Sequence, residues 1–216
     1  MMKMPPQELL GLQERAGHGD LAACYALGRC YADAEGVERN ETEAAAWFKR
    51  AAERGHADSQ FALAVAFLNG NGVEANVLDA TRWLRAAAAQ GHAGAQNSLG
   101  SSYATGRGVP QNDPEAVKHF RLAAMQGHSV AQFNLGMCAV YGQGVPQSYV
   151  DAYVWFSLSA AAGETIGGTE RSLSQDSLRT VRSAPDTAST RRAPARLARS
   201  ITAKAPSAEG SSARPP

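Results

Sequence analysis

The sequence lacks the features that mark membrane-spanning and disulfide-rich secreted proteins. None of its 216 residues lies in an apolar run of about 18 residues, the length that a membrane helix needs. The first seventeen, MMKMPPQELLGLQERAG, carry prolines and charges where a secretory signal needs an apolar stretch. Cysteine is scarce: Cys24, Cys30 and Cys138 are odd in number and form no CxxC pair, which disfavours a disulfide framework. These absences predict a cytoplasmic protein with no membrane segment.

Motifs for catalysis and phosphate binding are also missing. Neither GxSxG nor SxxK occurs, and the Gly-x-Gly pairs are followed by no P-loop Lys-Ser/Thr. His56, His92 and His128 recur at a fixed interval, but stacked helices lie about 9–10 Å apart, which is too far for a shared zinc ion. We therefore interpret these histidines as turn residues that hydrogen-bond locally. The sequence predicts no catalytic residue, metal or cofactor.

Charge is distributed unevenly along the chain. The formal net charge is +1, but residues 1–164 carry a net charge of −4 and residues 165–216 a net charge of +5. No aromatic residue follows Phe156, so the basic segment cannot stack on bases, and we expect no specific nucleic-acid partner. Ser, Ala, Pro and Arg dominate this segment, which predicts disorder from about residue 185.

A repeat with a period of 36 residues is the strongest signal present. The same residue types return at equivalent positions in four successive units. The recurring columns are Gly55-His56, Gly91-His92 and Gly127-His128; Leu27, Leu63, Leu99 and Leu135; Gln60, Gln96 and Gln132; Ala44, Ala80, Ala116 and Ala152; and Trp47, Trp83 and Trp155. In the third unit His119 takes the tryptophan position. The chain is therefore expected to repeat one structural unit four times.

Each unit reads as two helices joined by a glycine turn. In the second unit, 57–68 and 77–90 place apolar residues at helical spacing. A small residue follows the recurring Leu, as in Gly28 or Ala64, and we expect the Trp of the second helix to fill the space that it opens. The turn has the form Gly-x-Gly-Val. The first unit has Ala34 in place of the first glycine, which predicts a different turn there.

These motifs resemble the Sel1-like repeat of the tetratricopeptide superfamily. The resemblance covers residues 20–164, with repeats at about 20–55, 56–91, 92–127 and 128–163. It implies an all-α, right-handed superhelical solenoid of antiparallel helix pairs, used in that family mainly as an adaptor or scaffold for protein complexes. Residues 1–19 are expected to form an N-terminal capping helix and 165–216 a largely disordered basic tail. A segment at 169–181 is a candidate cover for the last unit, with dimerisation of an otherwise monomeric chain as the alternative.

A concave groove in such an array would be lined by the first helices. Positions that step by four residues on these helices give the predicted groove residues for a protein or peptide partner: Tyr25, Arg29, Phe61, Val65, Asn69, Asn97, Ser101, Phe133, Met137 and Tyr141. An alternative is that these side chains only complete packing between neighbouring helices. Some relatives of the family are linked to hydrolysis of cell-wall substrates, so a hydrolase is the alternative function.

Overall fold

A computed structural model describes residues 5–163 of the chain. Over this range it contains nine helices and no strand: α1 (Pro6–Gly17), α2 (Leu21–Asp33), α3 (Glu41–Ala52), α4 (Ala57–Asn69), α5 (Val77–Ala89), α6 (Ala93–Thr105), α7 (Asp113–Ala124), α8 (Ser129–Tyr141) and α9 (Tyr149–Gly163). The expectations for residues 164–216 lie outside the described residues.

The helices from α2 onward form four antiparallel pairs. Each pair stacks on the next, and α1 packs on α2 at the start of the array. The array is a right-handed superhelical solenoid. The helices predicted for the second unit, over 57–68 and 77–90, correspond to α4 and α5. The buried residues of these two helices include Leu63, Ala64 and Leu84. The all-α solenoid predicted from the repeat is confirmed.

Each second helix begins at a polar side chain that caps its free backbone N–H groups. The Oδ1 atoms of Asn40, Asn76 and Asn112 accept hydrogen bonds of 3.1–3.2 Å from the backbone N–H three residues later. In α9 the Oγ atom of Ser148 takes this role at 3.2 Å. These four residues recur every 36 positions, a capping column that the sequence analysis missed.

The turn that ends each first helix has the same backbone conformation in all four repeats. The residue after the helix is left-handed in each: φ is 59° at Ala34, 76° at Gly70, 71° at Gly106 and 70° at Gly142. The prediction of a different turn at Ala34 was therefore wrong. An alanine in this conformation costs about 1–2 kcal/mol relative to the right-handed one, so the first repeat carries local strain that the others avoid.

The second glycine of each Gly-x-Gly-Val turn lies against the preceding repeat. A Cβ atom at Gly72 would overlap the backbone carbonyl of Glu41, and one at Gly144 would overlap that of Asp113. Both carbonyls belong to the first turn of the previous second helix. This glycine therefore allows adjacent repeats to stack closely at the turn.

The small residue of each first helix faces the residue that follows the tryptophan position. A Cβ atom at Gly28 would lie 2.6 Å from the Phe48 ring, and one at Gly100 would lie 2.7 Å from the Phe120 ring. The second repeat pairs the larger Ala64 with a smaller partner, Leu84, in one buried cluster. The prediction that tryptophan fills this space was wrong, because the phenylalanine or leucine beside it does.

The tryptophans instead join neighbouring repeats. Trp83 of α5 packs with the cluster of Ala44 and Phe48 from the preceding α3, and Trp155 of α9 packs with Phe120 of α7.

His119 of α7 takes the tryptophan position in the third repeat, and its ring stacks on Tyr103 of α6 at 5.6 Å. Its Nδ1 atom is buried without a hydrogen-bond partner in the part of the chain that is described. Burial lowers the pKa of His119.

The recurring glutamine connects each first helix to the helix before it. The Nε2 atoms of Gln60, Gln96 and Gln132 donate hydrogen bonds of 3.1–3.3 Å to the carbonyls of Ala52, Ala88 and Ala124. Cys24 occupies this position in the first repeat, and its thiol donates to the carbonyl of Ala16 in α1 at 3.7 Å. Cys24 therefore takes the place of the glutamine in this contact, and α1 contacts α2 as a preceding second helix would.

The last repeat departs from this pattern. The Oε1 atoms of Gln60 and Gln96 accept hydrogen bonds from Gln90 and Gln126 at 2.8 Å. The corresponding Oε1 atom of Gln132 is buried with no hydrogen-bond partner among residues 5–163. Ala162 stands where a glutamine would donate, so the substitution explains the missing bond. Dimerisation at this end of the array stays a prediction.

Candidate functional site

The recurring histidines are helix caps. The Nδ1 atoms of His56, His92 and His128 accept hydrogen bonds of 3.1–3.3 Å from the backbone N–H groups of residues 59, 95 and 131. Asp20 has this role at the start of α2, and the backbone N–H donors there lower the pKa of its carboxyl group. The prediction that these histidines hydrogen-bond locally is confirmed. Among residues 5–163, no group of three or more His, Cys, Asp or Glu residues is placed to hold a metal ion.

The predicted groove residues form three columns of equivalent positions in successive repeats: Tyr25, Phe61, Asn97 and Phe133; Arg29, Val65, Ser101 and Met137; and Asn69 and Tyr141. The first column contacts the next repeat. The Tyr25 ring lies 5.5 Å from the His56 ring, and Phe61 lies 4.5 Å from His92. In the third repeat the Oδ1 atom of Asn97 accepts a hydrogen bond of 3.0 Å from Asn134. These residues therefore pack between neighbouring repeats, as the alternative interpretation of the column expected, while Tyr25 and Phe61 also line a cavity.

Phe133 is the last member of this column. Its ring lies 5.4 Å from that of Phe156 on the paired helix α9. Met137, from the second column, packs in the same cluster. Both side chains are only half-buried, so the fourth repeat presents apolar surface beside its core.

The rest of the second column is polar or lines the cavity. Arg29 is exposed and pairs with Asp33 at 2.8 Å, and this hydrogen bond raises the pKa of Arg29. Val65 is half-buried at the cavity. The Oγ atom of Ser101 donates a 3.2 Å bond to the carbonyl of Asn97 within α6. Only Val65 in this group offers apolar contact to a ligand.

The third column lies at the solvent-exposed end of the first helices. Asn69 of α4 is exposed, and Tyr141 of α8 is 64% exposed. An exposed tyrosine ring presents both an apolar face and a hydroxyl group. Tyr141 is therefore the most accessible of the predicted aromatic residues.

A cavity of about 340 Å³ lies between α2, α3 and α4. Its apolar lining includes Tyr25, Phe61 and Val65, three of the predicted groove residues. Asp33, which is equivalent to the predicted groove residues Asn69 and Tyr141, also lines it. The remaining lining residues were not assigned to the groove by sequence analysis: Ala32, Arg39, Glu41, Ala44, Ala45, Phe48, Ala62, Ala66 and Asn71. The acidic run that follows α2 was the available signal for Glu41. An apolar cavity with a few charged groups at its edge is the usual form of a ligand site.

No helix in the described range is both long and apolar enough to cross a membrane.

The Cys30 and Cys138 thiols are buried, and burial raises the pKa of each, to about 11 for Cys138. A thiol with a raised pKa stays protonated and is a poor nucleophile. The thiol chemistry of these two residues is therefore suppressed.

Comparison with known proteins agrees with this architecture. A protective antigen of uropathogenic Escherichia coli with an SLR fold is 28% identical, with a TM-score of 0.68, over 82% of this chain and 41% of the antigen. A Sel1 repeat protein from Oxalobacter formigenes is 25% identical, with a TM-score of 0.68, over 83% of this chain and 77% of its own. An immunity protein from Pseudomonas aeruginosa shares the fold at 16% identity and a TM-score of 0.52, over 83% of this chain and 75% of its own.

This chain therefore spans less than half of the antigen that it resembles. No curated protein sequence matches it. The Sel1 repeat family model matches residues 21–56, 57–92, 93–128 and 129–164, which are the units seen in the structure. By these four repeats, the chain belongs to the Sel1 repeat family.

Proposed function

We propose that this protein is an adaptor or scaffold that binds a partner protein or peptide along its first helices. The cavity between α2 and α4 carries this proposal, because it offers apolar side chains of Phe61 and Val65 beside charged groups. Such a site suits an apolar anchor side chain of a peptide or helix. A preformed cavity also needs little reorganisation when a partner binds.

The surface of the first helices suggests two anchor points. Phe61 and Val65 lie on α4, and Met137 and Tyr141 lie on α8. Between them α6 presents small polar side chains such as Ser101, which are already bonded within their own helix. Two helix spacings of about 9–10 Å separate α4 from α8. We expect a partner with two apolar segments about 20 Å apart.

We further propose that the role is non-catalytic and cytoplasmic. Solenoids of Sel1 repeats are typically non-enzymatic proteins that bind other proteins. Cys24, Cys30 and Cys138 are buried and form no disulfide bond within the described residues, which is the usual state of cysteine in a reducing compartment. These observations support a passive binding mechanism.

The test is an affinity pull-down from native cytoplasm with a variant that fills the cavity. Ala62 is half-buried on α4 and lines the cavity, so Ala62→Trp adds bulk there without removing a core side chain. The matched control is Ala46→Trp, because Ala46 is exposed on α3 and does not line the cavity. Both variants are first compared with the wild type by circular dichroism.

We expect a retained partner to be lost with Ala62→Trp and kept with Ala46→Trp. Equal retention by both variants would contradict binding at the cavity. If no protein is retained even by the wild type, the adaptor function itself fails.

A further inference from the structure

The cavity between α2 and α4 opens beside the most acidic stretch of the array. Residues 33–43 join α2 to α3 and carry a net charge of −4. The equivalent stretches of the later repeats, 69–79, 105–115 and 141–151, carry net charges of −2, −1 and −1. Three charged residues of this stretch line the cavity itself, Asp33, Arg39 and Glu41. The edge of the cavity therefore lies within a stretch whose net charge is negative.

Ion pairs neutralise only part of this charge. Arg39 pairs with Glu41, and Arg29 pairs with Asp33. Three exposed carboxylates in the stretch have no basic ion-pair partner within residues 5–163: Glu35, Glu38 and Glu43. None of the three lines the cavity, but each lies within two residues along the chain of one that does: Asp33, Arg39 or Glu41. A ligand that brings positive charge to this edge of the cavity would therefore gain attraction that the ion pairs of the described residues leave unused.

We infer that the occupant of this cavity is a basic segment of the same chain, residues 191–204, and that it regulates the binding proposed above, on which this inference rests. The segment reads RRAPARLARSITAK, with five basic residues and no acidic one. Leu197 and Ile201 are the only large apolar residues after Val181. Apolar side chains flanked by basic ones match an apolar cavity beside an acidic stretch.

The chain is long enough for this contact. The described array ends at Gly163, and the 27 residues that precede residue 191 span up to about 90 Å when extended. The first helices α2 and α8 are about 30 Å apart at the usual helix spacing. The segment is therefore covalently held near the cavity at an effective concentration of about 1 mM. An external partner would have to displace it, so the segment would lower that partner's apparent affinity.

The experiment uses the full chain labelled with ¹⁵N and carrying a nitroxide on Ser200→Cys. The native cysteines are buried, so the label attaches to the new thiol. We expect loss of amide signals around the cavity, at Tyr25, Ala32 and Val65, and their recovery at about 1 M salt, where the Debye length is about 3 Å. Reversal of the tail charges by Arg191→Glu, Arg192→Glu, Arg196→Glu and Arg199→Glu should also restore the signals.

A charge swap makes the test specific. Glu35→Lys, Glu38→Lys and Glu43→Lys should abolish the signal loss, and adding the four tail reversals should bring it back. The matched control reverses three exposed acids elsewhere: Glu8→Lys, Glu14→Lys and Glu53→Lys. This control should leave the signal loss unchanged. No signal loss at the cavity, or loss that the control abolishes equally, would overturn the inference.

Mixing experiments identify the source of the segment. A spin-labelled ¹⁴N chain added to an unlabelled ¹⁵N chain should cause no signal loss at the cavity. Loss in this mixture would assign the occupant to a second copy and overturn the intrachain contact. A partner captured in the pull-down while the spectra show no tail contact would uphold the proposed function and refute its regulation by the tail.

Discussion

Replacement of Gly100 by alanine tests whether small residues set the distance between paired helices. The new Cβ atom would lie 2.7 Å from two carbons of the Phe120 ring and 3.1 Å from the Ala116 carbonyl. Phe120 is 3% exposed, so its ring cannot swing into solvent. Either the helices separate or the ring leaves its preferred rotamer. Overpacking of this kind costs about 1–3 kcal/mol.

The helix propensity of alanine offsets part of this cost. Alanine stabilises a helix interior by about 1 kcal/mol relative to glycine. Gly11 of α1 measures that gain alone, because a Cβ atom there would meet no atom within 4 Å. We therefore expect Gly11→Ala to stabilise the chain. The free energy of unfolding of the Gly100→Ala variant should lie about 1–3 kcal/mol below that of the Gly11→Ala variant.

The second repeat supplies the compensating change. Ala64 faces Leu84 there, so Phe120→Leu should make room for the alanine at position 100. In a double-mutant cycle measured by urea unfolding, we expect a favourable coupling of about 1–3 kcal/mol between the two substitutions. Additive effects, or a Gly100→Ala variant as stable as Gly11→Ala, would refute the proposed fit between glycine and ring.

Three further substitutions test local features of the array. Ala34→Gly should raise the free energy of unfolding by about 0.5–1 kcal/mol, because relief of left-handed strain exceeds the entropy cost of glycine, and a lower urea midpoint would contradict this. Burial lowers the pKa of His119, so near and below the ordinary histidine pKa of about 6.5 the unfolded chain binds more protons than the folded chain, and the free energy of unfolding should decrease as the pH is lowered. His119→Trp should remove that fall in urea midpoints measured from about pH 5 to about pH 8, and an unchanged pH profile would assign the fall to other groups. Ala162→Gln should supply the donor that the Gln132 Oε1 atom lacks and stabilise the chain by about 0.5–1.5 kcal/mol in thermal unfolding, whereas Ala161→Gln at an exposed site is the neutral control.

Much of the fold follows from the repeat alone. The Leu63 column fixes the buried face of each first helix, and Gly70 with its equivalents fixes where that helix ends. Both signals are local, because helical period and left-handed glycine act within a few residues. Four copies in register then leave little freedom in how the units stack.

Contacts between repeats decided what the sequence did not. Trp83 and Leu84 are neighbours on one helix, and only the packed array shows that the first joins two repeats while the second faces Ala64. Phe61 likewise combines stacking on His92 with a place at the cavity. Side chains one residue apart point about 100° apart around a helix, so their partners depend on where neighbouring helices lie. The sequence by itself determined the repeated helix pairs, whereas the cavity beside an acidic turn arises only when α2, α3 and α4 pack together.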